Sequence, residues 1–281
     1  MERKLRGRGM AASWYGIART ATIDRAGAWA ELDDGGTAKI VTGVTEIGEG
    51  ILTLLCQVAA DELGIKPAEV TIGDNDTARS PEAAHAGATR QTYMLGNSVH
   101  LAAQEAKKHL FEQLADHWEV ELDTLQSFDG EVWANGTNLR ITMEDAVAIC
   151  KARGVVPVGS ASFTAHGTGL DPIDGSGSPW QTYVFGTQVA EVEIDTYTGE
   201  VQVLGIWAVH DVGRAINPRG VEGLGPALAR ADRVLEQRQA GPRRVVRRVA
   251  PVRQMYFDFA HDGVLLLRFV VPVHRWRVAF R

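Results

Sequence analysis

The pattern of apolar and polar positions along the chain predicts a mixture of strands and helices. Apolar residues alternate before and after the turn Asp33–Gly36, which predicts a β-hairpin. Apolar residues then recur every three or four positions over Ile51–Leu63, up to a stop at Gly64, and again from about Thr92 to Leu110. This spacing is typical of helices that bury one face, so the sequence predicts two packed helices.

Further elements follow the same reasoning. Val70–Ile72 predicts a short strand, and the turn dipeptides around Val132 and Trp133 predict a small hairpin. Thr142–Cys150 predicts a short helix opened by its threonine, and alternation over Val189–Ala208 predicts a long hairpin. Strands and helices do not alternate in a strict βαβ repeat, so the predicted class is α+β, with mixed sheets and packed helices.

Charge divides the chain into two parts. The net charge is −6, but residues from Glu222 to Arg281 contain twelve Arg, no Lys and only five acids. The preceding residues contain 17 basic and 30 acidic side chains. We therefore predict a domain over residues 1–223 and a divergent, Arg-rich tail over residues 224–281.

Composition limits the cellular compartment and the kind of metal site that we expect for this protein. With 45% hydrophobic and 23% charged residues, the chain is typical of a globular protein. Its two cysteines, Cys56 and Cys150, lie in apolar stretches and have no zinc-site spacing, which favours a reduced cytoplasmic protein. The longest apolar run, Val264–Val273, is too short for a spanning helix, so we expect no membrane partner.

Acidic pairs are the first candidates for chemistry. Glu191, Glu193 and Asp195 alternate along a predicted strand, as residues on a solvated sheet face do. Asp74 and Asp76 suit the capping of a turn. A structural role is favoured over a catalytic one for both groups.

Glycine-rich entrances to two predicted helices are better candidates. The triplet 48–50 precedes the first helix, and the segment 86–91 ends a loop of small residues before the second. Free backbone N–H groups and the positive end of a helix dipole at such entrances can hold an anionic ligand. The alternative is an ordinary helix-entry turn. The residues concerned are Gly48, Glu49, Gly50, Ala86, Gly87, Ala88, Thr89, Arg90 and Gln91.

Five ordered segments carry a more specific signal than either entrance alone. They are Thr42–Gly50, Ala59–Ile65, Ala86–Ser98, Tyr183–Val201 and His210–Pro218. Together they resemble the molybdopterin-binding large subunit of the xanthine dehydrogenase and aldehyde oxidase family, in its second molybdenum-cofactor-binding domain. The resemblance runs from about residue 7 to residue 223.

The resemblance implies a molybdenum hydroxylase component that binds molybdopterin, either plain or in its cytosine dinucleotide form. It assigns the cofactor contacts to the two helix entrances named above. No protein ligand to the metal is expected, because the pterin dithiolene holds molybdenum. FAD and 2Fe-2S clusters are expected on partner subunits. The expected substrate is a small molecule (a purine, another N-heterocycle or an aldehyde) hydroxylated with water as oxygen source, and no nucleic acid is expected as a partner.

Two departures from the family pattern matter. Glu49 stands where the family usually has Gln, so an acceptor replaces a side chain that can donate. The family's catalytic glutamate lies late in the subunit in a Gly-x-Gly-Glu type motif, and nothing after Val221 matches that motif. The family's earlier segments are absent too. No catalytic residue is therefore assigned, and we expect a truncated fragment that is inactive alone.

The tail beyond residue 223 leaves two interpretations open. Its many Arg and absent Lys are what a GC-rich gene read in the wrong frame would produce, which suggests a frameshift. A genuine basic tail for nucleic acid or anionic lipid is the alternative. For the chain as a whole, the rivals to a hydroxylase fragment are a non-catalytic pterin-binding module and a structural remnant.

Overall fold

The computed structural model describes residues 3–73, 75–222, 254–259 and 264–270. The chain divides into two compact units. The first unit comprises Met1–Tyr15 and Tyr183–Arg281, and the second comprises Gly16–Thr182. Most of the predicted tail and Asp74 lie outside the described residues, so the frameshift hypothesis stays a prediction.

The described residues form strands and helices in the mixture that the sequence predicts, and the α+β class is confirmed. The strands are β1 (Lys4–Gly16), β2 (Asp24–Leu32), β3 (Ala38–Val41), β4 (Val70–Ile72), β5 (Leu125–Phe128), β6 (Glu131–Ala134), β7 (Arg140–Thr142), β8 (Val158–Ala165), β9 (Tyr183–Asp195), β10 (Val201–Asp211), β11 (Gln254–Phe259) and β12 (Val264–Val270). The helices are α1 (Ile51–Leu63), α2 (Gly96–Trp118), α3 (Met143–Ala152) and α4 (Pro218–Glu222).

The first unit is built on a five-stranded sheet with the order β1-β9-β10-β12-β11. The predicted long hairpin is β9 and β10, which pair antiparallel with a register shift between Val203 and Gly205. Strand β1 lies at one edge of this sheet, and the sequence does not predict it because its first half alternates basic residues with Leu5 and glycine.

The acids of β9 do not form the solvated sheet face that the sequence suggested. Their side chains are only 11–16% exposed, because basic side chains of the N-terminal segment lie over them. The pairs are Arg3–Asp195 (3.0 Å), Lys4–Glu193 (2.7 Å), Arg6–Glu193 (3.1 Å) and Arg8–Glu191 (3.1 Å).

The second unit centres on a four-stranded sheet with the order β4-β3-β2-β8. The predicted hairpin is β2 and β3, in which Leu32 pairs with Ala38. Strand β4 lies parallel to β3, and α1 connects them, ending at Gly64 as predicted. Helix α2 packs over the sheet and approaches β8 so closely that a Cβ at Gly159 would overlap the carbonyl oxygen of Ala102.

A smaller antiparallel sheet, β5-β6-β7, completes the second unit. Its first two strands are the predicted small hairpin. Helix α3 follows, and the Thr142 hydroxyl accepts a hydrogen bond from the Asp145 amide at 3.1 Å, which confirms the predicted cap. Burial raises the pKa of the Cys150 thiol to about 11, so this cysteine is a packing residue. No helix in the described part of the chain is long and apolar enough to cross a membrane.

Candidate functional site

The two predicted entrances lie side by side in the second unit. One is the loop from β3 to α1, and the other is the loop from β4 to α2. The second loop is tied to the sheet by backbone hydrogen bonds from Gly27 to Glu82 (2.9 Å) and from Gly43 to Pro81 (3.1 Å). Near its other end, the Ala18 amide donates to the Ala88 carbonyl at 3.1 Å. The sheet edge therefore orders the small-residue loop that the sequence could not assign to an element.

Gln91 joins the two loops directly. Its side chain accepts the Thr45 amide at 3.0 Å and donates to the Thr45 carbonyl at 2.7 Å. The same amide nitrogen also donates to a carboxylate oxygen of Glu49 at 2.7 Å. Gln91 is only 7% exposed, whereas Glu49 lies at the surface. A buried amide thus fixes an exposed carboxylate at the mouth of the first entrance.

The first entrance differs from the sequence expectation in one respect. Its backbone N–H groups are not free, because the Glu46 carboxylate accepts hydrogen bonds from Gly48 (2.7 Å), Gly50 (3.1 Å) and Leu52 (3.3 Å). These hydrogen bonds, that of Gly50 foremost, hold the pKa of Glu46 below its ordinary value. The Ile47 amide donates to Glu49 at 2.9 Å. An anionic ligand at this helix end would have to displace Glu46.

The second entrance has an unusual backbone. Gly87, Ala88 and Thr89 all have positive φ, at 156°, 49° and 55°, and Ala84 does too, at 54°. Such angles are rare for residues with a Cβ, and rarest for a β-branched residue such as threonine. Gly87 and Thr89 are exposed. A strained and exposed turn of small residues is more typical of a binding site than of a plain connection.

The Arg90 side chain lies inside the second unit, whereas the resemblance assigns it a cofactor contact. Its side chain is fully buried and its Nε lies 3.0 Å and 2.8 Å from the two carboxylate oxygens of Asp24. It also donates to the main-chain carbonyls of Ala83 and Arg25. The guanidinium is therefore engaged inside the unit, and Asp24, which sequence reasoning missed, is its partner. The feature that distinguishes Asp24 is its contact with Arg90, 66 positions away, and the neighbouring sequence contains no signal for that contact.

The helix after the second loop begins with an irregular turn. Gln91–Leu95 is π-helical, and the regular helix α2 starts only at Gly96, later than the sequence predicted. Such turns are rare and frequent at functional sites. Tyr93, within this turn, packs edge-on against Phe163 with ring centres 5.3 Å apart, and burial raises its pKa.

Both entrances have exposed backbone at which a ligand could approach. A Cβ at Gly48 or Gly50 would meet no atom within 4 Å, so the first entrance is open. At the second entrance Gly87 and Thr89 are exposed, but a Cβ at Gly87 would contact the His85 ring at 3.4 Å. The Gln91 side chain joins the two entrances. In the part of the chain that the structure describes, no group of three or more His, Cys, Asp or Glu is placed to hold a metal ion.

The fold is that of molybdenum hydroxylase large-subunit domains. Quinoline 2-oxidoreductase from Pseudomonas putida 86 superposes with a TM-score of 0.65 and 23% identity, over 79% of this chain and 29% of that one. The sequence matches the family described as "Molybdopterin cofactor-binding domain" over residues 1–224. The chain belongs to this family.

Relatives of known name agree with that assignment. The chain is 27% identical over 211 residues to the 6-hydroxypseudooxynicotine dehydrogenase complex subunit gamma of Paenarthrobacter nicotinovorans, covering 70% of this chain and 25% of the relative. It is 26% identical over 214 residues to the xanthine dehydrogenase of Oryza sativa subsp. japonica, covering 76% of this chain and 14% of the relative. The predicted family is confirmed. The chain spans a quarter or less of the length of these two relatives, which fits the predicted fragment.

Proposed function

We propose that this chain forms part of the molybdopterin site of a molybdenum hydroxylase. The observation that carries the proposal is the hydrogen bond from Gln91 to Glu49, which unites the two segments that the family resemblance assigns to the cofactor. The residues proposed to line the site are Gly48, Glu49, Gly50, Ala86, Gly87, Ala88, Thr89 and Gln91. When bound, the cofactor would supply the metal centre that oxidises an electron-poor carbon with oxygen taken from water.

The chain's own residues would bind and orient the cofactor. The turn Gly87–Thr89 offers small side chains, and the Thr89 hydroxyl can donate or accept a hydrogen bond. Gln91 and the Ile47 amide hold Glu49 in a fixed orientation at the surface, where its carboxylate could accept a further hydrogen bond from the cofactor. Arg90 is assigned a positioning role, since its guanidinium is buried.

Glu46 limits which part of the cofactor the first entrance could bind. Its carboxylate occupies the amides of Gly48 and Gly50, which are the donors that a phosphate group would need. A phosphate bound there would replace one anion with another, so Glu46 would swing out into water. We therefore assign the pterin ring system, rather than a phosphate, to the neighbourhood of Glu49.

The remaining features of the enzyme are also proposals. They comprise the cytosine dinucleotide form of the cofactor, FAD and 2Fe-2S partner subunits, a small-molecule substrate and a cytoplasmic location. No catalytic residue is assigned among the residues of this chain. Turnover would therefore need a proton acceptor from elsewhere, and we expect the chain alone to be inactive.

Cofactor content tests the proposal. The chain would be purified after expression with and without its neighbouring reading frames, and molybdenum would be measured by elemental analysis alongside pterin fluorescence after oxidation. We expect molybdenum and pterin in equal amounts in the co-expressed complex. Gly87→Val should abolish both, because a branched side chain fills the turn, whereas Gly169→Val, at an open position in the same unit, should not.

Two results would point elsewhere. Cofactor retained without turnover in the co-expressed complex would favour the non-catalytic pterin-binding module. A folded chain free of molybdenum and pterin in both contexts would overturn the proposal and favour the structural remnant.

A further inference from the structure

The Arg90 guanidinium links two points of the second loop to each other and to β2. Arg90, at the end of the loop, donates to the carbonyl of Ala83, seven residues earlier within the same loop. It also donates to the Arg25 carbonyl at 2.6 Å and to Asp24 at 2.7–3.0 Å, both at the start of β2. Arg90 is 0% exposed and Asp24 is 1% exposed. The segment Ala84–Thr89 therefore projects from a buried clamp that holds both of its ends.

The clamped segment is the strained one. Its φ angles at Ala84, Ala88 and Thr89 are positive, a backbone conformation that is unfavourable for residues with a Cβ and persists only where the surroundings enforce it. The backbone hydrogen bond from Arg90 to Gly87, at 2.9 Å, adds a constraint inside the turn. The clamp and the strain thus occupy the same short stretch.

Stability alone does not account for a buried ion pair. Burial raises the pKa of Asp24, but the hydrogen bonds and charge of Arg90, with help from Arg19, outweigh burial and lower it. Asp24 is therefore ionised and Arg90 charged inside the unit. Apolar residues of similar volume often stabilise a fold as well as a buried ion pair does, or better. The distinguishing contribution of this pair is therefore the set of directed hydrogen bonds that it makes.

We infer that the Asp24–Arg90 pair is a positioning device that sets the backbone of Ala84–Thr89 for molybdopterin. The inference rests on the proposed function. Neither side chain contacts the ligand, since both are buried. The pair acts through the main chain, by holding residue 83 and residue 90 at a fixed separation beside β2.

Two variants separate positioning from mere stability. The double variant Asp24→Leu with Arg90→Met replaces the ion pair with apolar side chains, and Arg90→Lys keeps the charge but cannot bond Asp24, Ala83 and Arg25 together. The matched control is Glu62→Gln, which disrupts the Glu62–Lys107 ion pair of 2.7 Å elsewhere in the same unit.

The readouts are hydrogen exchange in the cofactor-free chain and molybdopterin content in the co-expressed complex. We expect exchange of the Ala18 and Arg90 amides, which donate to the carbonyls of Ala88 and Gly87, to speed up by about tenfold or more in both variants, and bound molybdopterin to fall by about tenfold, as for other supporting residues of metal centres. Amides of α1 and α3 should exchange as before. Glu62→Gln should leave exchange of the Ala18 and Arg90 amides and cofactor content unchanged.

The other possible outcomes would overturn the positioning role, the proposed function, or both. If the variants exchange and bind as the parent chain does, the positioning role is wrong while the proposed function stands. If both variants unfold, the pair is a folding element and the inference is overturned. If the parent chain itself holds no molybdopterin, the proposed function fails, and the positioning role for that cofactor fails with it.

Discussion

The side-chain nitrogen of Gln91 lies 2.7 Å from a carboxylate oxygen of Glu49. These residues are 42 positions apart and begin or precede different helices, so their contact brings two loops to one place. Because Gln91 also bonds the backbone of Thr45 twice, it acts as a buried bracket between the loops. The geometry of the candidate site depends on this bracket.

Removing the bracket should destabilise the second unit. Gln91→Ala leaves the Thr45 amide and the Glu49 carboxylate without their partner, and we expect a loss of about 2–3 kcal/mol in the free energy of unfolding. Glu49→Gln keeps an oxygen acceptor and should cost about 1 kcal/mol or less. Urea unfolding followed by circular dichroism measures both. Equal losses of unfolding free energy in the two variants would contradict the role of Gln91 in joining the loops.

Local signals accounted for most of the second unit. The alternation around Asp33–Gly36, the helical spacing of α1 and the cap at Thr142 each depend on neighbours within a few residues, so the sequence alone could reveal them. The two candidate entrances were found in the same way. Only the family resemblance linked the two, by assigning both to one cofactor, because a contact between loops leaves no local pattern.

The features that escaped prediction depend on distant partners. Strand β1 begins with charges at Lys4, Arg6 and Arg8, so its first half shows no apolar face. It belongs to the sheet because its bases meet acids about 190 positions further along the chain. Asp24 likewise has its partner, Arg90, far away in sequence. Glu46 was within reach of sequence reasoning, since an acid just before a Gly-rich helix entrance is a natural cap.

The contribution of Glu46 to stability should depend on pH. Its pKa is lowered in the folded chain, so it stabilises the fold above the ordinary glutamate value of about 4.3 and ceases to do so as the pH falls through the lowered value. We expect Glu46→Gln to be less stable than the parent at neutral pH, with the difference vanishing in acid. Unfolding free energies measured across this range give the profile. Glu112→Gln is the control, and a difference that does not change with pH would refute the prediction.

The attachment of β1 should weaken in salt. Its ion pairs with β9 involve basic side chains that are 59–73% exposed, and the screening length falls from about 10 Å at 0.1 M salt to about 3 Å at 1 M. Amides in β1 should therefore exchange faster at high salt, and faster still in Glu193→Gln, which loses the pairs to Lys4 and Arg6. Hydrogen exchange measured by mass spectrometry resolves this segment. Amides of α2 serve as the internal reference, and if β1 is unaffected by salt, its charges do not hold it.

The contact between α2 and β8 should tolerate no side chain at position 159. A Cβ at Gly159 would overlap the Ala102 carbonyl oxygen and lie 2.5 Å from the Ala106 amide nitrogen. We expect Gly159→Ala to lower the free energy of unfolding by about 1–3 kcal/mol, because the helix must move away from the strand. Gly169→Ala, at an open position, should be near neutral. Thermal unfolding compares the two, and equal midpoints would show that the helix can shift freely.

The second unit is one uninterrupted stretch of the sequence, and its two ends lie close together. The Ile17 amide donates to the Thr182 carbonyl at 3.0 Å, so the polypeptide enters and leaves this unit at adjoining points. Residues 16–182 could therefore be produced as an independent polypeptide. They could also be circularly permuted, with new termini at the exposed turn Asn135–Gly136. All the residues of the candidate site would travel with them.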